Sequence, residues 1–127
     1  MADVIIGCDG IKSRILAALY SDMRMNYTVA TAFRALLARD QLSANDILTP
    51  VVSFKFHFWL GPGAHVVLYP IHGGETFNLV IVIQNSLLRR LCKNENALEL
   101  VMWHLMGWNP VVTELLQTAQ GLMRFQL

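Results

Sequence analysis

Three short runs of alternating residues, separated by two glycine-rich turns, constrain the fold of this chain most strongly. In the first, Phe54 to Leu60, phenylalanine and leucine alternate with Lys, His and Trp, and Gly61-Pro62-Gly63 follows. The second covers about Ala64 to Pro70, and the turn His72-Gly73-Gly74-Glu75 leads into the third, about Thr76 to Gln84. Because such short turns reverse the chain between neighbouring strands, the sequence predicts an antiparallel meander.

The C-terminal third has the apolar spacing of helices. Its first helix is predicted to end before Gly107, and its apolar stripe consists of Leu98, Val101, Met102 and Leu105. Asn109 followed by Pro110 is typical of the cap and first position of a second helix. The buried face of that second helix is predicted to contain Val111, Val112, Leu115, Leu116 and Ala119. Residues 123–127 have the composition of a further strand.

The N-terminal segment has a different pattern. Val4, Ile5 and Ile6 are consecutive and β-branched, which predicts a short strand buried on both faces, as in a parallel sheet. A Gly-Cys-Asp-Gly turn and a helix over about Lys12 to Tyr20 are predicted to follow. The residues from Tyr27 to Leu37 are compatible with either a strand or a helix.

Composition narrows the possible functions. Hydrophobic residues make up 54% of the 127 residues and charged residues 15%, which indicates a large core or a surface that a partner covers. The net charge is +1 and the sequence has no basic run, so the chain lacks the positive electrostatic field that attracts nucleic acid. The apolar runs are far shorter than the roughly 20 residues of a membrane span. Cys8 and Cys92 form no C-x-x-C pair, so we expect a reduced, cytoplasmic setting.

Two places carry candidate chemistry. After the Val4–Ile6 strand, Asp9 can accept hydrogen bonds from ribose or ribityl hydroxyls, and Gly10 permits close approach of a phosphate. An ordinary turn with Asp as a helix cap explains the same residues. His65 and Tyr69 are four residues apart on one strand and therefore share a face. They fit either a binding pocket or a packed sheet face.

The histidines also raise the question of a metal site. His57 and His65 are predicted to be cross-strand neighbours around the Gly-Pro-Gly turn. Neither a carboxylate nor a cysteine completes a ligand set with them, and no H-x-x-x-H spacing occurs. We therefore predict no metal site.

The N-terminal string resembles the Asp-Gly fingerprint of the class A FAD-dependent aromatic monooxygenases, which include salicylate and p-hydroxybenzoate hydroxylases. The chain supplies the apolar strand, Gly7-Cys8, Asp9-Gly10, Lys12 and Ser13, whereas Leu16 stands where the pattern has Arg. Three further matches follow in family order, namely Ala32-Phe33-Arg34, the hairpin Gly61–Pro70 with Gly73-Gly74-Glu75 and Asn78-Leu79-Val80, and Gly107-Trp108-Asn109-Pro110-Val111. The similarity is to the salicylate hydroxylase branch and covers nearly the whole chain.

This resemblance implies an oxidoreductase that hydroxylates a small, salicylate-like aromatic substrate with FAD, dioxygen and NADH or NADPH. It implies that Asp9, Gly10 and Ser13 contact FAD. It also implies that His65 and Tyr69 line the substrate pocket, where they bind a carboxylate or help to deprotonate a phenol.

The resemblance further implies a mixed α/β (α+β) fold, in which a partial Rossmann-like FAD/NAD(P)-binding layer joins an antiparallel substrate-domain sheet and C-terminal helices. We expect one incomplete domain with three parts: the strand-turn-helix of the FAD-binding layer (1–26), the substrate-domain sheet (27–86) and a helical segment (87–127).

Two family motifs are missing from the sequence, the G-x-G-x-x-G turn and a later Gly-Asp pair. We therefore expect an internal segment of a monooxygenase that is inactive alone and binds FAD weakly or not at all. Its exposed apolar surface is expected to favour self-association or pairing with another chain. The alternatives are a non-catalytic interaction domain and one half of a split flavoprotein.

Overall fold

The computed structural model describes residues 3–22, 26, 28–53, 55–88 and 96–127. Within these ranges the strands are β1 (Ala30–Ala38), β2 (His57–Gly61), β3 (Ala64–Ile71), β4 (Thr76–Gln84) and β5 (Met123–Gln126). The α-helices are α1 (Arg14–Leu19), α2 (Arg39–Ser43), α3 (Asn85–Leu88), α4 (Ala97–His104) and α5 (Pro110–Thr118). No helix in these ranges is long and apolar enough to cross a bilayer.

The strands form one antiparallel sheet in the order β2-β3-β4-β1-β5. The predicted meander is confirmed as β2-β3-β4, and the turn at His72–Gly74 pairs Ile71 with Thr76. The first strand, predicted from Phe54, begins at His57, and Phe54 itself lies outside the described residues. The segment from Tyr27 to Leu37, for which the sequence allowed a strand or a helix, contains strand β1, and Tyr27 itself lies outside the described residues. β5 extends the sheet beside β1, so the sheet takes a strand from the segment 87–127. The mixed α/β fold class is confirmed.

One face of the sheet, the inner face, forms the core with the helices. Its buried residues are Phe33, Ala35 and Leu37 on β1, Ala64, Val66 and Leu68 on β3, and Phe77, Leu79, Ile81 and Ile83 on β4. Helices α4 and α5 pack onto this cluster, and the apolar stripes predicted for both are confirmed. The caps of the two helices are Asn96 and Asn109, whose side chains accept hydrogen bonds from Leu98 N and Val111 N.

The opposite face, here called the outer face, is also rich in apolar and aromatic side chains. Strand alternation and register place on it Phe58 and Leu60 of β2, His65, Val67 and Tyr69 of β3, Asn78, Val80 and Val82 of β4, and Arg34 and Leu36 of β1. Most of these side chains are half-buried or exposed, and Leu60 is 80% exposed. The chain therefore has two apolar sheet faces, of which its described helices cover one.

The predicted strand Val4–Ile6 is wrong. These residues have no regular structure, and their side chains are 76%, 77% and 81% exposed. β-Branched residues favour a strand only where neighbouring strands and packed side chains stabilise it. Within the described residues no strand pairs with this segment, so the predicted Rossmann-like layer is not formed here. The helix expected over Lys12 to Tyr20 is also shorter, Arg14–Leu19, and none of its residues is buried.

The predicted proximity of two histidines is also wrong. His57 pairs with Leu68 on the inner face, whereas His65 pairs with Leu60 on the outer face. Because successive side chains of a strand point to opposite faces, the two imidazoles point away from each other. The described residues contain no group of three His, Cys, Asp or Glu side chains that could hold a metal ion. Cys8 is an exposed free thiol, and Cys92 lies outside the described residues.

Candidate functional site

The turn before α1 is organised by the carboxylate of Asp9. Asp9 Oδ1 accepts a hydrogen bond of 2.5 Å from Ser13 Oγ, and Oδ2 accepts from the backbone N of Arg14 at 2.7 Å and of Ile15 at 3.3 Å. The Ser13 hydroxyl accepts in turn from Leu16 N at 2.9 Å and caps the helix. The structure thus brings the predicted residues Asp9 and Ser13 together in one local network.

Gly10 gives this turn its shape. Its φ of +76° lies in the left-handed region, and a Cβ built at this position meets nothing within 4 Å. Any larger residue would be strained by the backbone conformation and not by a clash. The space beside Gly10 is open, as close approach of a ligand phosphate requires.

The electrostatic state of Asp9 follows from these contacts. The hydrogen bond from Ser13 lowers the pKa of the Asp9 carboxyl, slight desolvation opposes this, and the backbone N–H groups of Arg14 and Ile15 lower it further. A carboxylate has about four lone-pair sites, and the Ser13 hydroxyl with the backbone N–H groups of Arg14, Ile15 and Asp9 itself draws on all of them. A ribose or ribityl hydroxyl that contacts Asp9 would therefore share or replace one of these hydrogen bonds. Asp9 and Gly10 are exposed and Ser13 is half-buried, so the turn offers a ligand one wall only.

The second candidate region lies on the outer face of β3 and β4. Asn78 Nδ2 donates a hydrogen bond of 2.5 Å to the hydroxyl of Tyr69, its register partner on the next strand. The ring of Phe56 stacks on the Tyr69 ring with a centroid distance of 5.1 Å and an interplanar angle of 21°. Tyr69 is half-buried and Asn78 is 9% exposed. The position of the Tyr69 hydroxyl is thus fixed by a hydrogen bond and by a stacked ring.

His65 lies nearer the Gly61-Pro62-Gly63 end of the same face. It lines an open concavity of about 380 Å³ together with Ala30, Leu60, Gly61, Gly63, Ala64, Val82 and Gln84. Four residues along a strand correspond to about 13 Å, so the Cα atoms of His65 and Tyr69 are widely separated. Val67 lies between them on the same face and provides an apolar floor. The structure therefore places the two predicted pocket residues on one face, where His65, but not Tyr69, lines this concavity.

Asn78 and Phe56 were missed as functional candidates by reading the sequence. Asn78 had a readable signal, because the turn that pairs Ile71 with Thr76 also pairs Tyr69 with Asn78. A single polar residue on the outer face of an apolar strand, opposite a tyrosine, indicates a cross-strand hydrogen bond. Arg34 lies 5.5 Å from the ring centroid of Phe125 on β5, a long-range contact that no local pattern reveals.

No family model matches the chain. It is 32% identical over 123 residues to the FAD-dependent monooxygenase eupB of a Phoma species, with 87% of this chain and 26% of that protein covered. It is also 32% identical over 110 residues to 3-hydroxybenzoate 6-hydroxylase of Klebsiella oxytoca, with 86% and 26% covered.

A solved structure of a salicylate hydroxylase in a substrate complex has the same fold, with a TM-score of 0.67. Its sequence identity is 16%, and the alignment covers 94% of this chain and 33% of that structure. The chain spans about a quarter of the length of the curated relatives it matches.

Proposed function

We propose that this chain, which resembles one segment of the FAD-dependent aromatic monooxygenases in both sequence and fold, forms the substrate-facing sheet of such an enzyme. The observation that carries the proposal is the outer face, where His65, Val67 and Tyr69 present polar and apolar groups in a row. Sequence similarity over nearly nine-tenths of the chain to FAD-dependent monooxygenases supports this assignment. The reaction proposed is hydroxylation of a small aromatic ring with dioxygen and NADH or NADPH.

FAD, when bound, supplies the redox and oxygen chemistry of this reaction. Asp9, Gly10 and Ser13 are the residues of this chain that would hold it. The exposed Asp9 carboxylate suits contact with a hydroxyl group, and the open left-handed turn at Gly10 suits close approach of the cofactor backbone. Because this turn is one exposed wall, we expect the 127-residue chain alone to bind FAD weakly or not at all.

For the substrate, we propose that a salicylate-sized ring lies over Val67 between His65 and Tyr69. The imidazole of His65 can take a phenol proton, whereas the Tyr69 hydroxyl can hydrogen-bond an oxygen on the ring. The apolar floor excludes water from beneath the ring. These assignments give each of the two residues a different group of the substrate to contact.

A graft tests the proposal. The matching segment of the Klebsiella oxytoca 3-hydroxybenzoate 6-hydroxylase is replaced by this chain, and the chimera is assayed for bound FAD and for aromatic-dependent NAD(P)H oxidation. We expect a hydroxylated aromatic product, with losses for His65→Ala and Tyr69→Phe and none for the exposed control Gln117→Ala. A chimera that folds and binds FAD but hydroxylates no aromatic compound would show the proposal wrong.

A second measurement addresses the chain by itself. Purified protein is titrated with FAD, and flavin fluorescence is followed. Saturable binding in the submicromolar range contradicts the expectation of weak binding, and it favours a stand-alone flavoprotein.

One observation favours an interaction module or one half of a split flavoprotein as the second candidate. Val4, Ile5 and Ile6 are largely exposed, as expected for a segment that pairs with another chain. The coding sequence on either side separates these candidates. An in-frame G-x-G-x-x-G upstream and a Gly-Asp motif downstream favour the enzyme, whereas intergenic sequence favours the module.

A further inference from the structure

We infer that Asn78 is a positioning residue that makes Tyr69 a hydrogen-bond donor toward the ligand of the outer face. The inference rests on the proposed function, because it concerns the same sheet face. It goes further in assigning a role to Asn78 and in naming the ligand group that Tyr69 selects, an acceptor oxygen such as a carboxylate or phenolate.

The cross-strand hydrogen bond between Asn78 and Tyr69 has a defined direction. Asn78 Nδ2 carries only protons, so at 2.5 Å it donates and the Tyr69 oxygen accepts. The phenolic hydroxyl has one proton, and this contact does not use it. The proton is therefore free for a second partner, and an oxygen acceptor on a ligand is the natural one.

The Tyr69 ring is held in place by its neighbours on both sides of β3. The Asn78 side chain is short, so its contact with the directly paired Tyr69 requires the Tyr69 ring to lie across β4. The ring then covers Asn78, which is 9% exposed. Phe56 stacks on the Tyr69 ring and limits its rotation. A preorganised hydroxyl loses little entropy when it binds a ligand, which raises its discrimination between ligand groups.

The direction of this hydrogen bond makes the outer face selective for acceptor groups of a ligand. A site that presents a donor rejects a ligand group that can only donate, because one polar group is then left unpaired. Without a fixed partner, the Tyr69 hydroxyl could rotate and either donate or accept a hydrogen bond. With Asn78 already donating to it, the hydroxyl prefers to donate, and the face prefers a ring with an anionic oxygen to a ring with an amine.

The test uses the 127-residue protein and two ring probes, benzoate as acceptor and aniline as donor. The protein carries tyrosine labelled at Cζ with ¹³C, and Tyr69→Phe identifies the Tyr69 signal among the three tyrosines. We expect benzoate to shift this signal saturably and to bind at least about tenfold more tightly than aniline, the equivalent of one hydrogen bond to a charged group.

The decisive variant is Asn78→Asp, since its carboxylate accepts the Tyr69 proton and reverses the polarity of the pair. We expect the preference for benzoate over aniline to be lost or inverted, and because the added carboxylate also repels benzoate, the charge-neutral Asn78→Leu has to weaken the preference as well. Asn85→Asp is the matched control, because Asn85 Oδ1 accepts from Thr31 Oγ1 at 2.6 Å and an Asp side chain preserves that bond. Asn78→Leu, which leaves the hydroxyl free to rotate, should lie between the wild type and Asn78→Asp.

Two results would overturn the inference. One is a Tyr69 signal in the wild type that does not respond to benzoate up to its solubility limit. The other is an unchanged benzoate preference in folded Asn78→Asp. Because neither measurement needs FAD or turnover, failure here is distinguishable from failure of the grafted enzyme.

Discussion

The carboxylate of Asp9 holds the turn before α1, and its titration should report on that turn. The hydrogen bond from Ser13 and those from three backbone N–H groups lower its pKa. A group whose folded-state pKa is depressed stabilises the fold above its unfolded value, about 3.9 for Asp, and this contribution is lost as the pH falls through the folded pKa. We expect ¹³C NMR of the Asp9 carboxyl to show a depressed pKa, and the α1 amide signals to broaden below it.

Removing the first of these hydrogen bonds tests the cause. Ser13→Ala should move the Asp9 pKa back toward its ordinary value, because Ser13 Oγ is the largest contributor to the shift. Ser21→Ala, also in the exposed N-terminal region, is the control and should leave the titration unchanged. An Asp9 pKa that is the same in both variants would assign the shift to another source.

Gly61 is a residue whose small size is required by packing. A Cβ built there would lie 2.4 Å from Cζ2 and 2.7 Å from Cη2 of Trp108, an aromatic ring packed against the core. Gly61→Ala should therefore lower the free energy of unfolding by about 1–3 kcal/mol, as overpacking does. Urea unfolding measures this, with Gly121→Ala as control, because nothing lies within 4 Å of a Cβ there. Equal midpoints for the two variants would show that Trp108 moves aside freely.

Among the elements, β3 and β4 were readable from the sequence, whereas the strand predicted at Val4–Ile6 does not form. Two short turns fixed the register of the meander locally, and with it the pairing of Tyr69 with Asn78. Val4–Ile6 had the composition of a strand but has no partner strand among the described residues, and composition cannot supply one. The alternation in β2 showed that Phe58 and Leu60 share a face. The alternation did not show that Trp59, on the opposite face, packs toward the core, because this depends on which face the helices cover.

Helix α5 was readable because its boundary signals are local. The Asn109 side chain accepts from Val111 N at 2.9 Å, and Pro110 occupies the first turn. Asn109→Ala leaves an N–H group without its partner and should reduce the free energy of unfolding by about 1 kcal/mol. Asn109→Ser keeps a cap and should cost much less. Chemical denaturation of both variants checks this, and an equal loss would mean that the side chain at position 109 stabilises the helix by packing and not by capping.

For the molecule as a whole, the balance of apolar surface points to self-association. Hydrophobic residues make up 54% of the sequence, the described helices cover one sheet face, and Val4, Ile5 and Ile6 are exposed. Apolar segments and sheet edges of this kind pair readily with a second copy. We therefore expect sedimentation velocity to show concentration-dependent association of the purified chain.

The N-terminal segment, and not the outer sheet face, should carry this association, because a segment without regular structure can add to an edge strand such as β2 or β5 by backbone hydrogen bonds. Replacing Val4, Ile5 and Ile6 together by Thr retains β-propensity and removes apolar area, so the dissociation constant should rise by at least about tenfold. Leu36→Thr, on the outer face and 58% exposed, is the control and should change it little. If Leu36→Thr weakens association and the triple variant does not, the outer face is the contact surface, and bound substrate should then compete with self-association.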